Sequence, residues 1–181
     1  HYRALGEVPA GRAQLLARVV TREPANYLVV GGRQLGKSSL LKAVQRRLQG
    51  HPHTVCHYVS LRDHRLAPRL ALQLGLPAAT PLEDIVTHLQ AQAVGKRLVL
   101  LIDEAQEMSP AVLSELRLMA SAKFDSQSLL CVVLAGDARL PEKLRREELI
   151  PLGSRIRTRL ATEAASREEL LACLQHLTSA A

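Results

Sequence analysis

The stretch LVVGGRQLGKSSLLKAV, residues 28 to 44, passes from apolar residues through a glycine-rich turn into a lysine, two serines and an amphipathic run. The apolar start reads as a buried strand. Beyond the turn, Leu40, Leu41, Val44 and Leu48 recur at helical intervals while Lys42, Gln45, Arg46 and Arg47 face elsewhere, so a helix follows and ends near Gly50 and Pro52. Between them, Gly31 and Gly36 bracket four residues and are followed by Lys37 and Ser38. Glycines at these two places permit backbone conformations closed to other residues, so that successive N–H groups converge on an anion at a helix N-terminus.

That spacing is the P-loop pattern, in the strand–turn–helix context it requires. The candidate phosphate-binding residues are Gly31, Gly32, Arg33, Gln34, Leu35, Gly36, Lys37, Ser38 and Ser39. Lys37 is expected to reach the β and γ phosphates of ATP, and the Ser38 hydroxyl to ligate Mg²⁺.

Apolar runs of strand length recur at 27–31, 54–61, 97–103 and 129–136, separated by segments with helical spacing. Continuous Val and Leu runs fit strands covered on both faces, which implies a parallel sheet between helix layers. A fifth short strand is expected at Ile156–Leu160, where Arg155, Arg157 and Arg159 alternate with Ile156, Thr158 and Leu160 and so share one face. Further helices are expected at Pro81–Val94, from Ser109-Pro110 to about Phe124, and from Ser166, where Ser166 and Glu169 form a capping-box pattern.

The run LVLLIDEAQ, 98 to 106, supplies a second element. Asp103 ends a buried strand, where open α/β sheets keep their ligands and where Mg²⁺ needs an acidic partner. Glu104 follows at once, placed to orient and deprotonate an attacking water.

A chain of 181 residues fits one α/β domain with a full core. No apolar run approaches the roughly eighteen residues of a membrane span, and none is expected in this fragment. The first residue is His1 and no leader pattern is read at the start, so a trimmed N-terminus and a cytoplasmic address are expected. Cys56, Cys131 and Cys173 lie far apart, which argues against disulfides. In HPHTVCH, strand alternation sends His53 and Cys56 to opposite faces, which argues against zinc. The formal charge of +7 points to an anionic partner, and residues 139–160 carry seven basic against three acidic side chains. With aromatics at 2%, base stacking has little to work with, while phosphate contacts to duplex nucleic acid remain open.

With GGRQLGKSS and LVLLIDEAQ as Walker A and Walker B, the chain resembles the AAA+ ATPases. The resemblance implies a three-layer P-loop core over residues 1–162 with a central, mainly parallel five-stranded sheet, and the start of a helical lid over 163–181. VPAGR, 8 to 12, resembles the box that borders the adenine. Asp137, at the end of LLCVVLAGD, stands where AAA+ proteins carry sensor 1, usually Asn or Thr. LGSRI, 152 to 156, is similar to the Ser-Arg motif of clamp loaders and initiators, which implies that Arg155 reaches a neighbouring subunit's nucleotide. A sensor 2 arginine has no assignable position.

DEAQ and LAGDARLPEKLRREELIPLGSRIRTRL resemble more narrowly the ATPases encoded beside transposases in bacterial insertion sequences, and the related ExeA-type ATPases of type II secretion. This implies a homo-oligomeric ATPase that assembles on duplex DNA and assists a transposase, with Lys37, Glu104, Asp137 and Arg155 in catalysis and Ser38 and Asp103 at the metal. The alternatives are an ExeA-type secretion ATPase and a STAND-like signalling switch, which the phosphate loop also resembles. DEAQ is similar to helicase boxes as well, but a helicase needs a second motor domain that this length cannot hold.

Overall fold

The computed structural model describes residues 26–61, 66–113, 116, 130–156, 158–162 and 171. Within them the order is β1 (Tyr27–Gly31), α1 (Lys37–Gln49), β2 (Thr54–Ser60), α2 (Leu66–Gln73), α3 (Leu82–Gln92), β3 (Arg97–Asp103), a 3₁₀ turn (Ala105–Glu107), β4 (Leu130–Gly136), α4 (Arg139–Leu144), a second 3₁₀ turn (Glu147–Leu149), α5 (Ile150–Arg155) and β5 (Thr158–Thr162). The five strands form one sheet in the order β2-β3-β4-β1-β5, every pairing parallel. This is the three-layer P-loop architecture expected from the sequence.

Burial on both faces explains the unbroken apolar runs. Tyr27 and Val29 of β1, Val99 and Leu101 of β3, and Cys131, Val133 and Ala135 of β4 face Leu40, Leu41, Ala43, Val44 and Leu48 of α1. The alternate residues, Leu28, Leu98, Leu100, Ile102, Val132 and Leu134, form the opposite core with α2, α3, α4 and α5. Each fully buried leucine or valine of α1 contributes about 2 kcal/mol through the apolar area it removes from water. Lys42, Arg46 and Arg47 stay exposed, so the amphipathic split of α1 is as its spacing predicts.

The segment before β5 differs from expectation. Residues Ile150–Arg155 form a helix with Pro151 in its first turn, and β5 begins at Thr158 rather than Ile156. Arg155 is therefore the last residue of α5 and does not share a strand face with Arg159, which lies in β5. Arg157 lies outside the described residues. The physical reason is packing: Leu149, Leu152 and Ile156 are buried in the core at helical spacing, which overrides a short alternation of arginines. Among the other expected elements, α3 is shorter at each end than Pro81–Val94, and Ser109 caps a helix opening at Pro110, its Oγ accepting from the Val112 N–H at 3.3 Å. Most of that helix, the adenine-side box at 8–12, and the Ser166 helix with the lid lie outside the described residues, Leu171 apart.

Candidate nucleotide-binding site

The topology brings the carboxyl ends of β1, β3 and β4 to one edge, with β4 between the other two. From β1 the chain turns sharply into α1. Gln34 takes a φ of 60° and Gly36 a φ of 79°, two left-handed residues that aim the first N–H groups of α1 into the turn. That first turn carries no acidic residue and no side-chain cap, so its positive end is left open to an anion.

Gly31 is required for a different reason from the one its spacing suggests. Its φ is not positive; instead, a Cβ there would lie 1.8 Å from Thr162 Oγ1 and 2.5 Å from the Thr162 carbonyl oxygen. Gly31 and Thr162 are register partners, and only a residue without a side chain lets β5 close on the mouth of the turn. Thr162 is itself 2% exposed, and its hydroxyl donates to the Val30 carbonyl at 3.4 Å.

Lys37 is 7% exposed. Its Nζ donates to the carbonyls of Gly31 at 2.8 Å and Gly32 at 2.6 Å, which offsets the cost of burying an ammonium and holds it inside the turn. Ser38 and Ser39 are half-buried, while Gly32, Arg33 and Gln34 are exposed along the rim.

Across β4, Asp103 closes β3 on the α1 side of the sheet, in phase with Val99 and Leu101. It is 2% exposed and doubly held: the Tyr58 hydroxyl donates to Oδ2 at 2.9 Å, and the Glu104 N–H donates to Oδ1 at 3.0 Å. Tyr58 in turn lies beneath the Lys42 ammonium, 5.9 Å from its ring centroid. Sequence reading missed Tyr58, although a hydroxyl inside a buried strand calls for a polar partner.

Glu104 adopts φ 56° and ψ 38°, a left-handed conformation that costs a non-glycine residue about 1–2 kcal/mol. The strain is met by local bonds, the Glu107 N–H to the Glu104 carbonyl at 2.9 Å and the Gln106 Nε2 to Glu104 Oε2 at 2.5 Å. Glu104 thus follows β3 at the same end of the sheet as the turn between β1 and α1.

Asp137 follows β4. Its carboxylate takes paired bonds from Arg139 Nε and a third from the other Arg139 nitrogen at 2.8 Å, and the same guanidinium reaches Glu107 Oε1 at 2.8 Å. The hydrogen bonds from Arg139 hold the Asp137 carboxyl below the usual carboxylate range, with the Lys37 charge adding a smaller push. Asp137 is thus an ionised partner of Arg139. The sequence-predicted residues of the turn, Asp103, Glu104 and Asp137 gather at one end of the sheet, whereas Arg155 is exposed at the end of α5.

Cys56 and Cys131 sit opposite Val99 from either side, two strand spacings or about 10 Å apart, too far for a disulfide. Burial pushes the Cys56 thiol up to about 12 and His57 below its ordinary value. Among the described residues no group of three or more His, Cys, Asp or Glu side chains could hold a metal ion, and no helix is long and apolar enough to cross a membrane.

Comparison with known proteins bears on the family and the fold. A profile described as an AAA domain matches residues 20–144. The chain belongs to the AAA domain family. It carries the P-loop ATPase fold of AAA+ proteins, as the Walker motifs implied. This AAA protein is 47% identical over 73 residues to general secretion pathway protein A of Aeromonas hydrophila, a match that covers 40% of the chain and 13% of that protein. Among solved structures it is similar to the Aeropyrum pernix ORC1 protein in complex with DNA, with a TM-score of 0.71 and 18% identity over 95% of this chain. It is also similar to the A. pernix ORC2 protein in its ADPNP-ADP complexes (TM-score 0.68, 20% identity, 91% of this chain) and to Cdc6p from Pyrobaculum aerophilum (0.67, 17%, 96%). The chain spans about half the length of each of these solved chains.

Proposed function

We propose that this AAA protein binds and hydrolyses ATP, and that nucleotide controls its assembly into a homo-oligomer on duplex DNA, where it assists a transposase. The observation that carries the ATPase reading is the meeting of the α1 N-terminus, the buried Lys37 ammonium and the doubly held Asp103 carboxylate on one face of the sheet. Gly31 to Ser39 form the phosphate cradle. Lys37 exchanges its two carbonyl partners for β and γ phosphate oxygens, a shift within reach of its flexible stem. Glu104 orients the attacking water and accepts its proton.

The residues also fit a divalent cation. Ser38 stands at the first turn of α1, and Asp103 keeps lone pairs beyond the two it uses. Ser38 and Asp103 would hold Mg²⁺, which would neutralise phosphate charge there. Asp137, already neutralised by Arg139, acts by anchoring that guanidinium and the end of β4, since its own charge repels phosphate. Arg155, exposed on α5, serves a neighbouring subunit's nucleotide.

The DNA reading rests on the exposed cations of α1, Lys42, Arg46 and Arg47, on the net charge of +7, and on fold likeness to a DNA-bound ORC1 protein. A second reading, an ExeA-type secretion ATPase, is favoured by the identity to general secretion pathway protein A. Duplex binding separates the two. Anisotropy titrations of labelled duplex should show affinity that requires a non-hydrolysable ATP analogue and falls with salt by a log-log slope of about −0.9 per phosphate contacted. Single subunits offer few phosphate contacts, so assembly multiplies a weak affinity. Binding that ignores both nucleotide and salt would remove the DNA-regulator reading and leave the secretion-type ATPase ahead.

A further inference from the structure

We propose that Gln106 is the positioning residue for Glu104, tying the water-activating carboxylate to the end of β4. The inference rests on the ATPase reading above. Gln106 is 3% exposed, and both ends of its carboxamide are engaged. Its Nε2 donates to Glu104 Oε2 at 2.5 Å and more weakly to Glu107 Oε1 at 3.4 Å, while its Oε1 accepts from the Asp137 N–H at 3.2 Å. One buried side chain thus joins the residue after β3 to the residue after β4, bonding residues 31 positions apart in sequence.

The slot around it is closed. A Cβ on Gly136 would fall 2.6 Å from Gln106 Oε1 and 2.9 Å from Leu140 Cδ2, so the glycine at the end of β4 makes room for the carboxamide. The turn that carries Gln106 is also fastened to α4. Lys143 Nζ donates to the carbonyls of Gln106 and Met108, and Arg139 pairs with Glu107. Glutamate is a long, freely rotating side chain, and Glu104 stands at an otherwise open edge. A fixed amide donor on one carboxylate oxygen selects a single orientation and leaves the other oxygen for a water. β4, whose end the carboxamide grips through the Asp137 N–H, lies directly beside β1.

Two variants separate positioning from bulk stability. Gln106→Glu keeps an acceptor for the Asp137 N–H and removes the donor to Glu104; Gln106→Met fills the slot and removes both. Each is compared with wild type and Glu104→Gln for kcat, for KM, for affinity towards a non-hydrolysable ATP analogue, and for thermal melting. Both should lose about 10- to 100-fold in kcat, with analogue affinity and KM within about twofold. In the Glu104→Gln background, Gln106→Met should cost nothing further in single-turnover rate, because it acts through the side chain already removed.

Unchanged kcat in folded Gln106→Met, or a loss that adds fully to that of Glu104→Gln, overturns the assignment while the ATPase reading stands. Full turnover in Glu104→Gln shows that another group is the base and overturns the assignment as well, whereas an inactive wild type overturns the ATPase reading itself. Should melting show Gln106→Glu unfolded, the Met variant and the double variant decide alone.

Discussion

Lys37→Ala abolishes nucleotide binding. The ammonium is the one buried cation at the mouth of the turn among the described residues, and its two carbonyl bonds keep it there before any phosphate arrives. Each charge-assisted hydrogen bond it makes to phosphate is worth about 1.5–3 kcal/mol, so losing two weakens binding by a factor on the order of 10² to 10⁴. Alanine also has no means of offsetting the negative charge that the α1 N-terminus alone would have to hold. Titration with a fluorescent ATP analogue checks this directly. Affinity within threefold of wild type would show that the turn does not hold phosphate through Lys37.

Glu104→Gln keeps nucleotide binding and loses turnover. The substitution preserves length, the local turn and the Glu104 N–H bond to Asp103, which is made by backbone. It removes only the group able to accept a proton from water, an effect worth roughly 10²- to 10⁴-fold in kcat. Analogue affinity should stay within about twofold, and steady-state phosphate release should fall by that factor. Retained turnover would mean that another group is the base, although the two neighbouring carboxylates are engaged elsewhere, Asp103 by Tyr58 and Asp137 by Arg139.

Much of this was legible in the chain. β1 and β3 were placed to the residue because their Val and Leu runs are buried on both faces and cannot be mistaken for a half-exposed strand. The Walker turn was legible because its chemistry lies within nine consecutive residues. What escaped was whatever depends on distant partners. Gly31 is needed for Thr162, and Gln106 matters through Asp137 and Glu104; neither requirement is written locally. Tyr58 reaches Asp103 across a strand pairing that no spacing reveals. α5 was misread for the opposite reason: a local arginine alternation resembled a strand, while the residues that decide the segment, Leu149, Leu152 and Ile156, are set by contacts with the core. The Asp137–Arg139 pair was readable in principle, being two residues apart in a turn.

Mixing two inactive variants tests most directly the proposal that this ATPase shares its sites between subunits. Arg155→Ala should bind ATP and fail to turn it over in the oligomer, because a guanidinium on transferring phosphoryl oxygens is worth roughly 10³ to 10⁵ in rate. Lys37→Ala fails at its own cradle but keeps Arg155 for its neighbour. Phosphate release from a mixture of the two should exceed that of either variant alone, at interfaces that combine one intact half from each. A mixture that stays inactive while the two variants demonstrably co-assemble would contradict the account.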